Sequence, residues 1–237
     1  MATFLVAHGA WSAGWVWKKM HPLMRAAGQA LVTPTYTGLG ERGHLASPAI
    51  DLQAHIDDML GVLAMEDLRD VVLVGHSYGG MVATGVADQA RERIAKLVYL
   101  DAFAPSHGDS AFSLLPEAAA ARMRELAEAD GEGWLVPPNP PPPDTPEADV
   151  AWVTPRRLPQ PIKTFEQALA LTGGEPSLPR SYIYCQRFGP GDVFAQFAAR
   201  ARAEGWPLFE IDASHNPHIT APELLRDLLV GIADGAG

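Results

Sequence analysis

The sequence predicts a doubly wound α/β fold with a mostly parallel sheet, and three observations carry the prediction. Short apolar runs recur along the chain without polar alternation, as strands covered on both faces require. Amphipathic stretches of helical period separate them, and strand–helix alternation builds a sheet flanked by helices. That rhythm is interrupted once, between about Pro105 and Gly174, by a long segment containing a proline run.

Element by element, a strand is expected over Phe4 to Ala7, then a helix over Val16 to Ala27 and a strand over Ala30 to Thr33. Helix Leu52 to Met65, strand Val71 to Val74, helix Gly80 to Gln89 and strand Leu97 to Leu100 follow. Beyond the interruption come strand Tyr182 to Cys185, helix Val193 to Ala203, strand Leu208 to Ile211 and helix Pro222 to Ala233. The last helix has clear end signals: Thr220 as a cap, Pro222 and Glu223 in the first turn, and Leu224, Leu225, Leu228 and Leu229 on a helical repeat. Within the interruption, Pro116 to Ala129 is rich in Ala, Glu and Arg. The run Pro137 to Pro143, broken only by Asn139, lacks backbone donors and is expected to be extended and exposed. A connection this long is usually functional or disordered. We read it as an inserted helical and proline-rich cap over 105–175, with the core formed by 1–104 and 176–237. Phe112, Leu114, Leu115, Trp134 and Trp152 are its candidate pocket-lining residues.

Charge and cysteine content narrow the function classes. Eighteen Lys and Arg against 28 Asp and Glu leave a formal charge of −10, which disfavours nucleic acid and anionic lipid as partners. Cys185 is the single cysteine, so a disulfide within the chain and a thiolate zinc site are both excluded. It lies in the apolar run Tyr182-Ile183-Tyr184-Cys185 and reads as an inert core residue. No basic segment precedes an apolar stretch at the N-terminus, and no apolar run approaches the ~20 residues that cross a bilayer. A cytoplasmic protein made without a cleaved signal is the expectation.

The most informative segment is Val71-Val72-Leu73-Val74-Gly75-His76-Ser77-Tyr78-Gly79-Gly80-Met81. An apolar strand runs into a serine flanked by glycines two residues away on either side, and a helix pattern follows. A sharp strand-to-helix turn leaves no room for side chains at those flanks and thrusts the serine out at the carboxyl end of the sheet. Serine needs a base to act as a nucleophile. Of eight histidines, His8 and His76 read as local packing, and His21, His44, His55 and His107 have no partner in view. His215 follows the last strand, and loops leaving carboxyl strand ends meet in the crevice where Ser77 stands. His218, on the same loop, is the reserve base.

These positions carry a resemblance. The segments are His8-Gly9-Ala10-Trp11-Ser12-Ala13-Gly14-Trp15, the serine turn from Gly75 to Met81, Val98-Tyr99-Leu100-Asp101-Ala102-Phe103-Ala104-Pro105, and Ser214-His215 before the last helix. With them the chain resembles the α/β-hydrolase superfamily, and within it the small esterases that include plant methylesterases, hydroxynitrile lyases and similar bacterial carboxylesterases. The resemblance implies nucleophile Ser77, base His215, and an oxyanion hole from the backbone N–H groups of Ala10 and Tyr78.

The orienting acid departs from the family pattern, in which it follows the next-to-last strand. Here that loop holds Arg187 and Gly189 where the carboxylate is expected, and nearby Asp192 is placed to cap the following helix. Asp101 ends the strand after the nucleophile's helix and can accept a histidine Nδ1–H equally well, so it is preferred to Asp192. Asp212, three residues before His215, is too close in sequence to reach around the ring.

The expected function is a serine hydrolase that cleaves a small apolar or aromatic carboxylic ester or lactone through an acyl-enzyme, with no metal or organic cofactor. Trp11 joins the lining candidates, and the loop Thr37 to Gly43 is a candidate flank. A serine at the turn argues against the resembling dehalogenases and epoxide hydrolases, which use aspartate there. Hydroxynitrile lyases carry a lysine and a threonine where this chain has Asn216 and Gly9. The alternatives are a cofactor-free oxygenase or polyketide-tailoring reaction on the same scaffold, or a low-turnover ligand receptor that would follow from a histidine lacking its carboxylate.

Overall fold

Six parallel strands form the centre of the protein, here described from a computed structural model over residues 1–174, 177–188 and 191–235. In chain order the elements begin β1 (Thr3–Ala7), α1 (Met20–Ala26), β2 (Ala30–Val32), α2 (Leu52–Met65), β3 (Val71–His76), α3 (Gly79–Gln89) and β4 (Ile94–Leu100). Next come α4 (Ala111–Leu114), α5 (Glu117–Asp130), β5 (Leu135–Val136), α6 (Glu147–Val153), β6 (Gln160–Pro161) and α7 (Lys163–Glu166). The chain closes with β7 (Arg180–Cys185), α8 (Ala195–Ala203), β8 (Leu208–Ile211), α9 (Pro217–Thr220) and α10 (Pro222–Ala233).

The sheet order is β2-β1-β3-β4-β7-β8, every pairing parallel, while β5 and β6 form a separate antiparallel pair. After β2 the chain crosses back past β1 to lay down β3, so the order reverses between β1 and β3. A crevice opens at such a switch point, outside the carboxyl ends of the strands. The loops carrying Ala10 and Ser77 both leave the sheet there.

The continuous apolar runs follow from this burial. Phe4 and Val6 of β1 join one apolar cluster with Met24 of α1 and Leu225 and Leu229 of α10. Leu5 and Ala7 join the other, with Met59 and Leu63 of α2 and Met81 and Val86 of α3. A strand whose successive side chains alternate between two cores has no polar face to show.

Several boundaries differ from the sequence expectation, each for a local reason. The helix expected over Val16 to Ala27 is a 3-10 turn, Gly14–Trp17, followed by α1. Pro22 has no N–H and clashes with the preceding turn of a continuous helix, so it fits only in the first turn of α1. α8 starts at Ala195 rather than Val193, because Asp192 Oδ1 accepts from Phe194 N at 2.8 Å and Ala195 N at 3.2 Å and holds the turn before it. Thr220 does not cap α10: it ends α9, where its hydroxyl donates to Asn216 O at 3.2 Å. The proline run forms no helix or strand, yet Pro137, Pro138, Pro141 and Pro142 are half-buried rather than exposed. Arg157 pins the run by donating to both the backbone carbonyl and Oδ1 of Asn139. The expected boundary between cap and core, at 175/176, lies outside the described residues.

Candidate active site

Ser77 follows directly on β3 with φ +56°, in the left-handed region that non-glycine residues rarely adopt. Bonds to the neighbouring strand end hold it there: Ser77 N donates to Leu100 O at 3.3 Å, and Ser77 O accepts from Phe103 N at 3.2 Å. Bare backbone is needed beside it. A Cβ on Gly79 would lie 2.0 Å from Ala7 O, and one on Gly80 1.9 Å from Phe103 O.

His215 Nε2 is 2.9 Å from Ser77 Oγ, and His215 Nδ1 is 2.7 Å from Asp101 Oδ2. A carboxylate only accepts, so Nδ1 carries a proton toward Asp101 and the Nε2 lone pair faces the serine hydroxyl. Asp101 has no exposed surface, and its other oxygen accepts from Cys185 N at 3.2 Å. Phe194 stacks on the His215 ring at 4.8 Å and 10°, and Phe188 meets it edge-on at 6.2 Å.

The competing carboxylates are engaged elsewhere. Asp192 caps the turn before α8 and accepts from the Tyr184 hydroxyl. Asp212 pairs with Arg187, at 2.7 Å from Nε and 2.8 Å from Nη2. Position Gly189 lies outside the described residues. Because His215 does contact a carboxylate, the receptor alternative loses the observation it required.

Ala10 and Tyr78 flank the serine with their backbone donors free: among the described residues neither N–H makes a hydrogen bond. The β1 loop presses against Ser77 closely enough that a Cβ on Gly9 would lie 3.2 Å from Ser77 Cβ. Tyr78 is anchored through its side chain. Its hydroxyl donates to His55 Nδ1 at 3.0 Å, and His55 Nε2–H donates to Thr37 O at 3.2 Å. Thr37 in turn donates to Asp58 from N (2.6 Å) and Oγ1 (2.8 Å), and Arg42 pairs with Asp58 at 2.9 Å. Side-chain bonds thus shape the Thr37 to Gly43 loop, alongside its glycines.

Burial holds the neighbouring histidines neutral. It lowers His8, His55 and His218 to about 3, and pushes His76 well below its ordinary value. His218, the reserve base, stacks on Trp17 at 4.6 Å and makes no bond to Ser77. His215 stands apart from these four in its 22% exposed side chain. Cys185 is fully buried and its thiol is pushed up by burial, in keeping with an inert core residue.

Of the six expected lining residues, Trp11 and Phe112 are brought together as rings. Trp11 N donates to Gln160 Oε1 at 2.8 Å, and its indole N–H to Val136 O at 2.9 Å. Phe165 then links the rings, lying 5.6 Å from Trp11, 5.7 Å from Phe112 and 5.5 Å from Tyr78. Trp152 does not join them: it packs edge-on against Trp15 at 5.5 Å, with the cluster on the other side of the sheet. Trp134 leads into β5, half-buried, with its backbone bonded to Gly131 and Ile162, and packs into neither apolar cluster. Leu114 and Leu115 pack against the same cluster as Phe112. Phe165, Phe188, Phe194 and Gln160 escaped the sequence reading, since nothing local in the sequence signals which distant residues they meet.

Among the described residues no group of acidic, histidine or cysteine side chains is arranged to hold a metal ion, and no helix is long and apolar enough to cross a membrane.

Comparison with known proteins identifies the family. Residues 4–228 match the Alpha/beta hydrolase family. A carbendazim hydrolyzing esterase from Nocardioides sp. (strain SG-4G) is 39% identical over 242 aligned positions, covering 98% of this chain and 100% of that protein. Methylesterase 2 from Arabidopsis thaliana is 27% identical, over 98% of this chain and 95% of its own. Among solved structures, an extracellular alpha/beta-hydrolase from a Paenibacillus species superposes with a TM-score of 0.83 at 24% identity, covering 97% of this chain and 98% of that one. On the family match and the full-length esterase relative together, the chain belongs to the alpha/beta-hydrolase family and is a hydrolase of carboxylic esters.

Proposed function

We propose that the chain cleaves its ester through an acyl-enzyme on Ser77, with His215 as base, Asp101 as orienting acid and the N–H groups of Ala10 and Tyr78 as oxyanion donors. The observation that carries this is the unbroken chain of bonds from Ser77 Oγ to His215 Nε2 at 2.9 Å and from His215 Nδ1 to Asp101 at 2.7 Å. His215 takes the hydroxyl proton as Ser77 Oγ attacks the ester carbonyl. The resulting oxyanion lies between the two free N–H groups, at the N-terminal end of α3 whose dipole favours negative charge. Collapse breaks the bond to the leaving oxygen, which takes the proton from His215. A water then attacks the acyl-enzyme, with His215 again as base, and releases the acid with Ser77 restored.

Substrate type is read from the rings packed beside the serine turn. Trp11, Phe112 and the largely buried Phe165, which also meets Tyr78, form an aromatic set that supports a small apolar or aromatic ester or lactone. Phe112 and Phe165 come from the segment 105–175, which we assign as the cap. The relative's activity makes carbendazim a second candidate substrate. Asn216 and Gly9 argue against cyanohydrin cleavage.

Stopped-flow hydrolysis of p-nitrophenyl butyrate tests the mechanism, with carbendazim as the second substrate. A burst of nitrophenol close to one per chain is expected, together with loss of turnover in Ser77→Ala at an unchanged melting temperature. Turnover that survives Ser77→Ala overturns the assignment.

A further inference from the structure

We infer that His76, the residue before Ser77, is a positioning residue that holds the backbone of His215 and so sets the distance between hydroxyl and imidazole. The inference rests on the roles of Ser77 and His215 proposed above. His76 Nε2 lies 2.8 Å from His215 O, a contact between positions 139 residues apart in sequence. A carbonyl only accepts, so Nε2 carries the ring proton and donates it.

The bond acts where the backbone has few other ties. β8 is an edge strand, and the loop beyond it is tied by Arg187 N to Ala213 O at 3.0 Å before Asn216 O receives the first bonds of α9. Among the described residues, the bond from His76 is the only hydrogen bond to the backbone of Ser214 or His215. Ser77 follows His76 directly, so one strand end carries the hydroxyl and also grips the residue bearing the imidazole. The short bracket from His76 to Ser77, across the 2.9 Å contact to His215 and back through its carbonyl, replaces a path around the whole sheet.

The surroundings fix the ring in this role. It is 4% exposed and meets His218 edge-on at 4.7 Å, Trp17 at 6.4 Å and the tilted ring of His215 at 4.9 Å. Gly9 makes room for it: a Cβ there would lie 2.9 Å from His76 Nδ1. Burial beside two other histidines disfavours a charged ring, so the donor stays neutral.

The test compares His76→Phe, His76→Gln and His76→Asn with Ser77→Ala in steady-state hydrolysis of p-nitrophenyl butyrate. A displacement near 1 Å at a reacting centre costs about 10²-fold in rate. His76→Phe keeps the ring but loses the donor, so kcat is expected to fall about 10²-fold with KM little changed. The Gln amide reaches the position of Nε2 and is expected to restore most of the loss, whereas the shorter Asn amide mimics Nδ1 and is not. If the Phe variant does not fold, the Gln and Asn variants decide: recovery with Gln alone supports the inference, and equal kcat in the two overturns it. Wild-type kcat in His76→Phe also overturns it. If Ser77→Ala remains active, the proposed mechanism fails as well; if Ser77→Ala is inactive and the His76 variants match wild type, only the positioning role fails.

Discussion

Asp101→Asn keeps the size of a side chain with no exposed surface and changes what its two terminal atoms can do. In the native chain one oxygen accepts from His215 Nδ1 at 2.7 Å and the other from Cys185 N at 3.2 Å. Asparagine has one acceptor for these two donors. If its oxygen faces His215, its NH₂ is buried against the Cys185 N–H, two donors with nothing to accept. If its oxygen faces Cys185, the NH₂ meets His215 Nδ1 and forces the proton onto Nε2, which then cannot take the serine proton. The wrong tautomer in a Ser–His–Asp arrangement costs about 10⁴ in kcat, or roughly 5.4 kcal/mol of barrier. Steady-state kinetics on p-nitrophenyl butyrate from pH 5 to 9 measure the loss, with Asp192→Asn as comparison. Asn still caps the turn before α8, so that variant should keep its turnover within about twofold. A larger loss in Asp192→Asn than in Asp101→Asn would refute the acid assignment.

Acid stability follows from the buried histidines. His8, His55 and His218 sit at about 3 in the fold, against about 6.5 in the unfolded chain. The unfolded state therefore binds protons that the native state refuses: stability is full above pH 6.5 and falls as pH drops toward 3. At pH 5 each histidine costs about 2 kcal/mol. Three together consume a large part of a typical 5–15 kcal/mol stability. Urea unfolding at pH 7.5 and pH 5 should show that loss, and equal midpoints would contradict it. Gly80→Ala places a methyl carbon 1.9 Å from Phe103 O, a strain of at least about 2–3 kcal/mol. Thermal melting should register a clear drop in Tm or loss of folded protein, and an unchanged Tm would remove the steric reason for that glycine. Phe165→Ala opens the ring set between Trp11 and Phe112. The ratio of kcat/KM for an aryl ester to that for a short aliphatic ester should fall, and a constant ratio would separate Phe165 from substrate selection.

What could be read ahead of the structure was local. α2, α10 and β8 have the expected limits, because helical period, a first-turn proline and an apolar run act within a few residues. The serine turn was legible for the same reason, since strand, glycines and helix are contiguous. His215 was singled out as the candidate base by its place after the last strand of a parallel sheet, where carboxyl ends must face one crevice. The aromatic surroundings were legible only in part: Trp11 and Phe112 were expected, Phe165 was not. Trp152 and Phe165 are both isolated aromatic residues in the inserted segment, yet one packs against Trp15 and the other joins Trp11, Phe112 and Tyr78. Helical or strand period says which way a side chain points from its own element and nothing about which distant element it meets.

From the order of residues alone came the parallel sheet, the serine at the strand-to-helix turn, a candidate histidine and a choice between two strand-end carboxylates. Folding made the choice. β4 and β7 are neighbours, so Asp101 and the loop bearing Asp192 leave adjacent strand ends, and either could reach one imidazole. Hydrogen bonding operates over about 3 Å, a scale set by how loops pack and by what else each group can bind. Asp192 finds two backbone N–H groups and the Tyr184 hydroxyl close by, while Asp101, sealed from water with one N–H, has an oxygen left for His215.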